Sequence, residues 1–226
     1  MKPILFSTPM VQAILDGSKT QTRRIVKPIP VKDCDQVVYD PAIGFRFKYD
    51  SNRKCPYGEV GDILWVRETI KIGAWRIDEG KIAWDYKASP EIKNTEWTYP
   101  YAPERFDKEI EKATNYLIKT EYPMDDDGYY NWKPGESPLP WKPSIFMPKE
   151  ACRIFLRIKD VEVQRLKNIT ILDSQAEGVS ATETCTAKES FIKLWISING
   201  SDSWNKNPWV WVIEFEKCDK PENWPV

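Results

Sequence analysis

"RIFLRIKDVEVQRL", residues 153–166, decides how this chain folds. Ile154, Leu156 and Ile158 recur at the two-residue period of a strand with one face in a core. Past Lys159-Asp160 the apolar parity flips to Val161 and Val163. A one-residue offset turns every side chain to the other face, so the strand must bulge or bend near Lys159-Asp160.

Other strands stand on either side in sequence. "PWVWVIEFEK", residues 208–217, opposes Trp209, Trp211 and Ile213 to Val210, Val212 and Glu214. In "GDILWVRET", residues 61–69, Ile63 and Trp65 face one way and Leu64 and Val66 the other, so both faces read as buried. Thr20 to Val26 reads as a further strand, closed by Pro28 and Pro30.

Short helices punctuate these strands. Thr8 caps the first, with Pro9 at the first helical position, Val11, Ile14 and Leu15 on one face, and Gly17 as the stop. "NITILDSQAEGVS", residues 168–180, places Thr170 at an N-cap, Asp173 three residues on and Gly178 at the end. Lys188 to Ile198 forms the last helix, with Phe191, Leu194, Trp195 and Ile198 on one face and Asn199-Gly200 ending it.

No strand–helix–strand alternation of the parallel kind occurs, which argues against a dinucleotide-binding sheet. The sum is an α+β fold: a mixed β-barrel with short flanking helices and a long insertion. The barrel spans residues 1–71 and 148–226. The insertion, 72–147, is rich in Trp, Tyr, Pro and acidic residues, with a helix near Glu104 to Asn115. Residues 28–58 read as irregular and turn-rich.

Composition narrows the function. A net charge of −1 gives no global basic footprint, so a nucleic-acid role needs a local patch or a nucleoside-sized ligand. The chain has no histidine, which removes Ser-His-Asp and Cys-His nucleophile systems and His-containing zinc sites. Five scattered cysteines without a C-x-x-C pair read as reduced thiols, and no metal or cofactor is implied. No apolar run is long enough to span a membrane and no secretory signal follows Met1, so the expected location is cytoplasmic. The 11 tryptophans read chiefly as packing residues.

"GSKTQTRR", residues 17–24, concentrates chemistry. A phosphate-binding P-loop needs an upstream glycine and strand–loop–helix order; here the order is helix, loop, strand. "ILDGSKTQTRR", "GDILWVRET", "AEGV" and "NPWVWVIEF" together resemble the ASCH superfamily, a PUA-like β-barrel group, and its longer members from phage and prophage genomes. The resemblance covers roughly residues 1–70 and 148–216.

It implies a cleft lined by the G-x-K-T-x-T-x-R turn, with RNA or a modified nucleoside as partner. It also implies, by similarity to small bacterial N4-acetylcytidine amidohydrolases, catalytic roles for Lys19, Thr22 and Glu177. Thr22 would be the nucleophile, Lys19 the base and Glu177 the acid/base, with Arg24 as a substrate or oxyanion contact. Thr20, Arg23, Arg24, Arg67 and Glu68 are the candidate ligand contacts.

Three readings follow: a binding module, an amidohydrolase, and an accessory protein whose insertion binds a protein partner.

The physics constrains the second reading. Without histidine, a threonine nucleophile needs a neutral lysine, and Lys19 would have to lose ~3 pKa units, ~4 kcal/mol, to serve. Arg23 and Arg24 would help; Glu177 would oppose. The alternative is a Lys19–Glu177 ion pair that pins the turn to the helix. Strand parity adds a condition: Lys19 and Thr22 point to opposite faces unless Lys19 precedes the strand.

Lesser candidates are a basic patch of Lys19, Arg23, Arg24, Lys27 and Lys32, a rim ion pair at Arg67-Glu68, and a solvated turn at Asp125-Asp126-Asp127-Gly128.

Overall fold

In the computed structural model, residues 1–27, 36–42, 44–47, 52–89, 97–98 and 103–224 are described. Lys32 and Cys34 lie outside them. The chain runs β1 (Lys2–Leu5), α1 (Thr8–Leu15), β2 (Gln21–Ile25), β3 (Val37–Asp40), β4 (Gly44–Phe47) and β5 (Asn52–Arg53). Next come β6 (Ile63–Arg67), β7 (Ile70–Arg76), β8 (Lys81–Tyr86), β9 (Trp97–Thr98) and α2 (Pro103–Lys119). β10 (Phe155–Arg165), α3 (Ile171–Ala176), α4 (Ala187–Asn199) and β11 (Trp209–Cys218) complete it.

The fold is mixed α+β. Five strands form one sheet in the order β1-β6-β10-β11-β2, and two three-stranded sheets hold β3-β4-β5 and β7-β8-β9. Among the described residues the five-stranded sheet does not close into a barrel: β1 and β2 stand at its ends. β10 pairs antiparallel with β6 and β11, and β11 with β2. No described helix is long and apolar enough to cross a membrane.

The chain divides into two compact units. One comprises Met1–Pro3, Ala13–Trp65 and Phe155–Cys218; the other comprises Ile4–Gln12, Val66–Ile154 and Asp219–Val226. The insertion expected over 72–147 falls within the second.

In the first unit, the β10–β11 register shifts between Ile158 and Asp160, the place where the apolar parity flips. Beyond it, Val161 pairs Ile213 and Val163 pairs Trp211, which in turn pair Thr22 and Arg24 of β2. These rows put Val161, Val163, Trp211, Ile213, Thr22 and Arg24 on one sheet face. On the opposite face Val210 and Val212 pack with Leu166, Ile169, Phe191 and Trp195 of the α3–α4 region. Ile198, expected on that apolar side of α4, is instead 55% exposed at the helix's last turn.

Helix ends follow their chemistry. Thr170 and Asp173 form a reciprocal capping box on α3, as do Thr186 and Glu189 on α4. α4 therefore starts one residue before Lys188. At α1, Val11 N–H donates to Ser7 O, so the cap is Ser7 rather than Thr8.

Residues 28–58, expected to be irregular, contain the β3–β4–β5 meander. It is held by ring contacts: Phe45 meets Trp211 edge-on at 5.2 Å and Phe47 meets Trp209 at 5.9 Å.

In the second unit, β7 and β8 form a hairpin around Gly80, at φ +62, with Ile70 opposite Tyr86 and Ile72 opposite Trp84. α2 runs from Pro103 to Lys119, wider than the helix expected near Glu104 to Asn115, and buries Phe106, Ala113 and Leu117 at helical spacing.

Candidate functional site

Gly17, at φ +83, ends α1, and Lys19 precedes β2 as an isolated bridge partner of Glu177. Lys19 N–H donates to Ala13 O at 2.8 Å and Thr20 N–H to Ala176 O at 2.8 Å. The turn is thus laced to the ends of two helices before the strand begins.

Glu177 is the C-cap of α3. Gly178 N–H donates to Gln175 O and Val179 N–H to Ser174 O, the paired bonds of a Schellman ending. Gly178 holds φ +79, and a Cβ there would stand 2.8 Å from Ala13 Cβ and 2.9 Å from Lys19 Cβ. Only glycine accepts both that backbone and that approach.

The Lys19 ammonium is closed in. Its side chain is 0% exposed and donates to Gln21 O at 2.7 Å, Glu177 O at 2.9 Å and Glu177 Oε2 at 2.9 Å. Three acceptors match the three protons of an ammonium. Glu177 Oε1 takes Arg23 Nη1 at 3.2 Å, and Arg23 Nη2 lies 3.3 Å from Asp173 Oδ2. Gln21 Oε1 also accepts from Arg23 Nη1, and Gln21 Nε2 donates to Glu214 Oε1.

Lys19, Gln21 and Arg23 share the α3 side by parity. Gln21 is not singled out in the sequence, and Asp173 only as the capping partner of Thr170; the two-residue spacing from Lys19 to Gln21 to Arg23 is the available signal for Gln21.

Charge balance in this cluster is tight. Burial pushes the Lys19 ammonium below its ordinary pKa; Glu177 pulls it back up, while Arg24 and Arg23 add to the lowering. Burial would raise the Asp173 carboxyl, but bonds from the Thr170 N–H and hydroxyl, together with Arg23, hold it below the usual carboxylate value. Glu177 sits against the α3 dipole, a cost of ~0.3–1 kcal/mol that its two cationic partners offset.

The remaining candidates separate. Thr22 and Arg24 lie on the other face of β2, and Thr20 is exposed in the turn. Thr22 therefore does not join Lys19 and Glu177 on one side of the strand. The expected basic patch is not a solvated one: Lys19 and Arg23 are buried among carboxylates, while Lys27 is exposed.

In the second unit Glu68 is buried and takes a bidentate pair from Arg153, Nε to Oε1 and Nη2 to Oε2, each at 2.9 Å. Arg153 also reaches Ser89 Oγ and stacks 4.0 Å from the Tyr86 ring centroid. Arg67 instead donates to Ile145 O, so the expected Arg67-Glu68 rim pair is replaced by Glu68–Arg153. The Asp125 turn is exposed and closed by Tyr129 N–H and Asn131.

Open volume lies elsewhere in the first unit. A groove of about 390 Å³ is lined by Val37, Tyr39 and Phe45 of the meander and by Asp160–Val163 of β10. Tyr39 is 60% exposed and Phe45 half-buried, their centroids 4.9 Å apart at 49°. Val161 and Val163 belong to the sheet face that bears Thr22 and Arg24, and Phe45 touches Trp211 on it. None of residues 17–24 lines the groove.

Among the described residues no group of three or more His, Cys, Asp or Glu side chains is placed to hold a metal. No family model matches the chain, and no curated protein or solved structure matches it.

Proposed function

We propose that this chain is a nucleobase-recognising binding module of the ASCH type, PUA-like in its strand arrangement. Its ligand would sit in the groove beside Tyr39, Phe45, Val161 and Val163. The observation that carries the reading is the groove itself. It is open, of small-molecule size (~300–1,000 Å³ for such sites), and walled by two aromatic rings on the Thr22/Arg24 face.

Flat rings stack on aromatic walls for ~1–3 kcal/mol per base. The Lys19–Glu177–Arg23 cluster has the supporting role: it fixes the start of β2 and hence the sheet that carries the groove. The test is an equilibrium titration with cytidine and N4-acetylcytidine. Tyr39→Ala should weaken binding about 5- to 150-fold. Saturable binding indifferent to Tyr39→Ala would refute this location.

The amidohydrolase reading is supported by the meeting of Lys19 Nζ and Glu177 Oε2 at 2.9 Å, in a site whose burial pushes the Lys19 ammonium below its ordinary pKa. It is opposed by the three acceptors around Nζ, which favour the ammonium, and by the parity of Thr22. Cytidine release from N4-acetylcytidine, lost in both Lys19→Ala and Thr22→Ala, would establish it instead.

A further inference from the structure

Asp160, Val161, Glu162 and Val163 all line the groove. Side chains alternate between the two faces of a strand, so four consecutive residues line one groove only where it meets the strand's edge. β10 has such an edge. Its pairing with β6 covers Phe155–Arg157 and ends at Ile158, which donates to Asp62 O and accepts from Gly61 N–H, each at 2.9 Å. Gly61 then lies in a turn at φ +93, whereas the pairing with β11 continues to Arg165.

The hydrogen-bond phase of β11 identifies the groups on that edge. Phe215 N–H donates to Thr20 O and Trp209 O accepts from Val26 N–H, so the odd-numbered residues of β11 turn towards β2. Val210, Val212 and Glu214 turn towards β10 and exchange bonds with Gln164, Glu162 and Asp160. Val161 and Val163 therefore aim their N–H and C=O groups away from β11, at the open edge. Among the described residues no hydrogen bond reaches those groups. Both valines are half-buried, and main-chain groups so placed are satisfied by water or by a ligand.

We propose, building on the binding reading above, that this edge reads the base. The main chain of Val161 and Val163 pairs with the Watson–Crick edge of a pyrimidine lying where β6 would continue, with Tyr39 and Phe45 against its flat face. Each outward residue of a strand offers one donor and one acceptor. A pyrimidine presents the complementary pair in one plane: N3–H beside O4 in uracil, the 4-amino group beside N3 in cytosine. A methyl at N3 blocks that edge; a methyl at C5 lies outside it. Asp160 and Glu162 carry their side chains on the opposite sheet face, so selection is by main-chain hydrogen bonds rather than by charge.

The test is calorimetry on the full chain with three uncharged probes: uridine, 5-methyluridine and 3-methyluridine. Uridine and 5-methyluridine should bind within about twofold of each other, and 3-methyluridine about 5- to 150-fold more weakly, because it leaves a main-chain group unpaired. Amide hydrogen exchange reads the contact itself. Saturating uridine should slow Val161 or Val163 about tenfold and leave Glu162, already bonded to β11, unchanged.

If 3-methyluridine binds as well as uridine, or the Val161 and Val163 amides exchange at the same rate with and without uridine, while Tyr39→Ala still weakens binding, the edge inference falls and the groove reading stands. If none of the three binds, or binding ignores Tyr39→Ala, both fall.

Discussion

Replacing Gly178 by alanine probes the joint on which the first unit's lysine cluster depends. The new Cβ would meet Ala13 Cβ at 2.8 Å and Lys19 Cβ at 2.9 Å, closer than carbons pack, and the residue would be held at φ +79. The left-handed backbone costs an L-residue ~1–2 kcal/mol, and overpacking adds ~1–3 kcal/mol. Alanine's stiffer unfolded chain returns ~0.4–1 kcal/mol. The expected net loss is therefore about 1–5 kcal/mol.

Gly17→Ala is the matched control, because Gly17 has nearly the same φ, +83, and nothing within 4 Å of its Cβ position. It should cost only the backbone part, about 0–1.6 kcal/mol. Urea unfolding followed by tryptophan fluorescence reads both variants. With slopes of ~1–3 kcal/mol per molar urea, a 3 kcal/mol loss moves the midpoint by ~1–3 M. Equal losses for the two variants would refute the close approach of α3 to the Lys19 turn.

Further outcomes follow from the buried charges and thiols. Glu177→Ala leaves the Lys19 ammonium buried without its carboxylate and should destabilise by ~3–5 kcal/mol, whereas the Lys19→Met/Glu177→Leu double variant should recover most of that in urea melts. The Cys152 thiol is pushed up to about 12 from 9.0 by burial. Its folded pKa is thus raised: the contribution is full below pH 9 and is lost as pH rises towards 12, by ~4 kcal/mol in total. Cys152→Ala should flatten that part of the alkaline stability curve relative to wild type. Cys185 is half-exposed, and the Lys193 ammonium 2.8 Å from its sulfur lowers its pKa, so iodoacetamide should label it before the buried Cys55 and Cys152 in the native protein, as read by peptide mass.

What the sequence carried was local. The flip from Ile158 to Val161 located the register shift of β10, because a two-residue period leaves no other way to keep one face apolar. Thr170 and Asp173 located the start of α3, and Gly17, Gly178 and Gly200 its neighbours' and its own endings, all with positive φ.

Long-range matters were less legible. The β7–β8 hairpin falls inside the expected insertion: Ile70-Ile72 and Ile82-Trp84-Tyr86 alternate around Asp78-Glu79-Gly80, but the aromatic, acidic residues around them mask the two-residue period. The β3–β4 strands and the groove had no local signature: they depend on Phe45 and Phe47 finding Trp211 and Trp209 more than 160 residues away. The pairing of Lys19 with Glu177 follows from the resemblance rather than from any periodicity; the parity condition is met, since Lys19 precedes β2, and Thr22 is set apart by its place on the β2 face opposite Arg23 and Glu177.

The most direct measurement is where a bound nucleoside sits. Nuclear Overhauser contacts should be collected between the H5 and H6 protons of cytidine, or of N4-acetylcytidine, and the protein. The account predicts contacts to the ring protons of Tyr39 and Phe45 and to the methyl groups of Val161 and Val163. Contacts to Thr22 and Lys19 instead, with none to Tyr39 or Phe45, would contradict it.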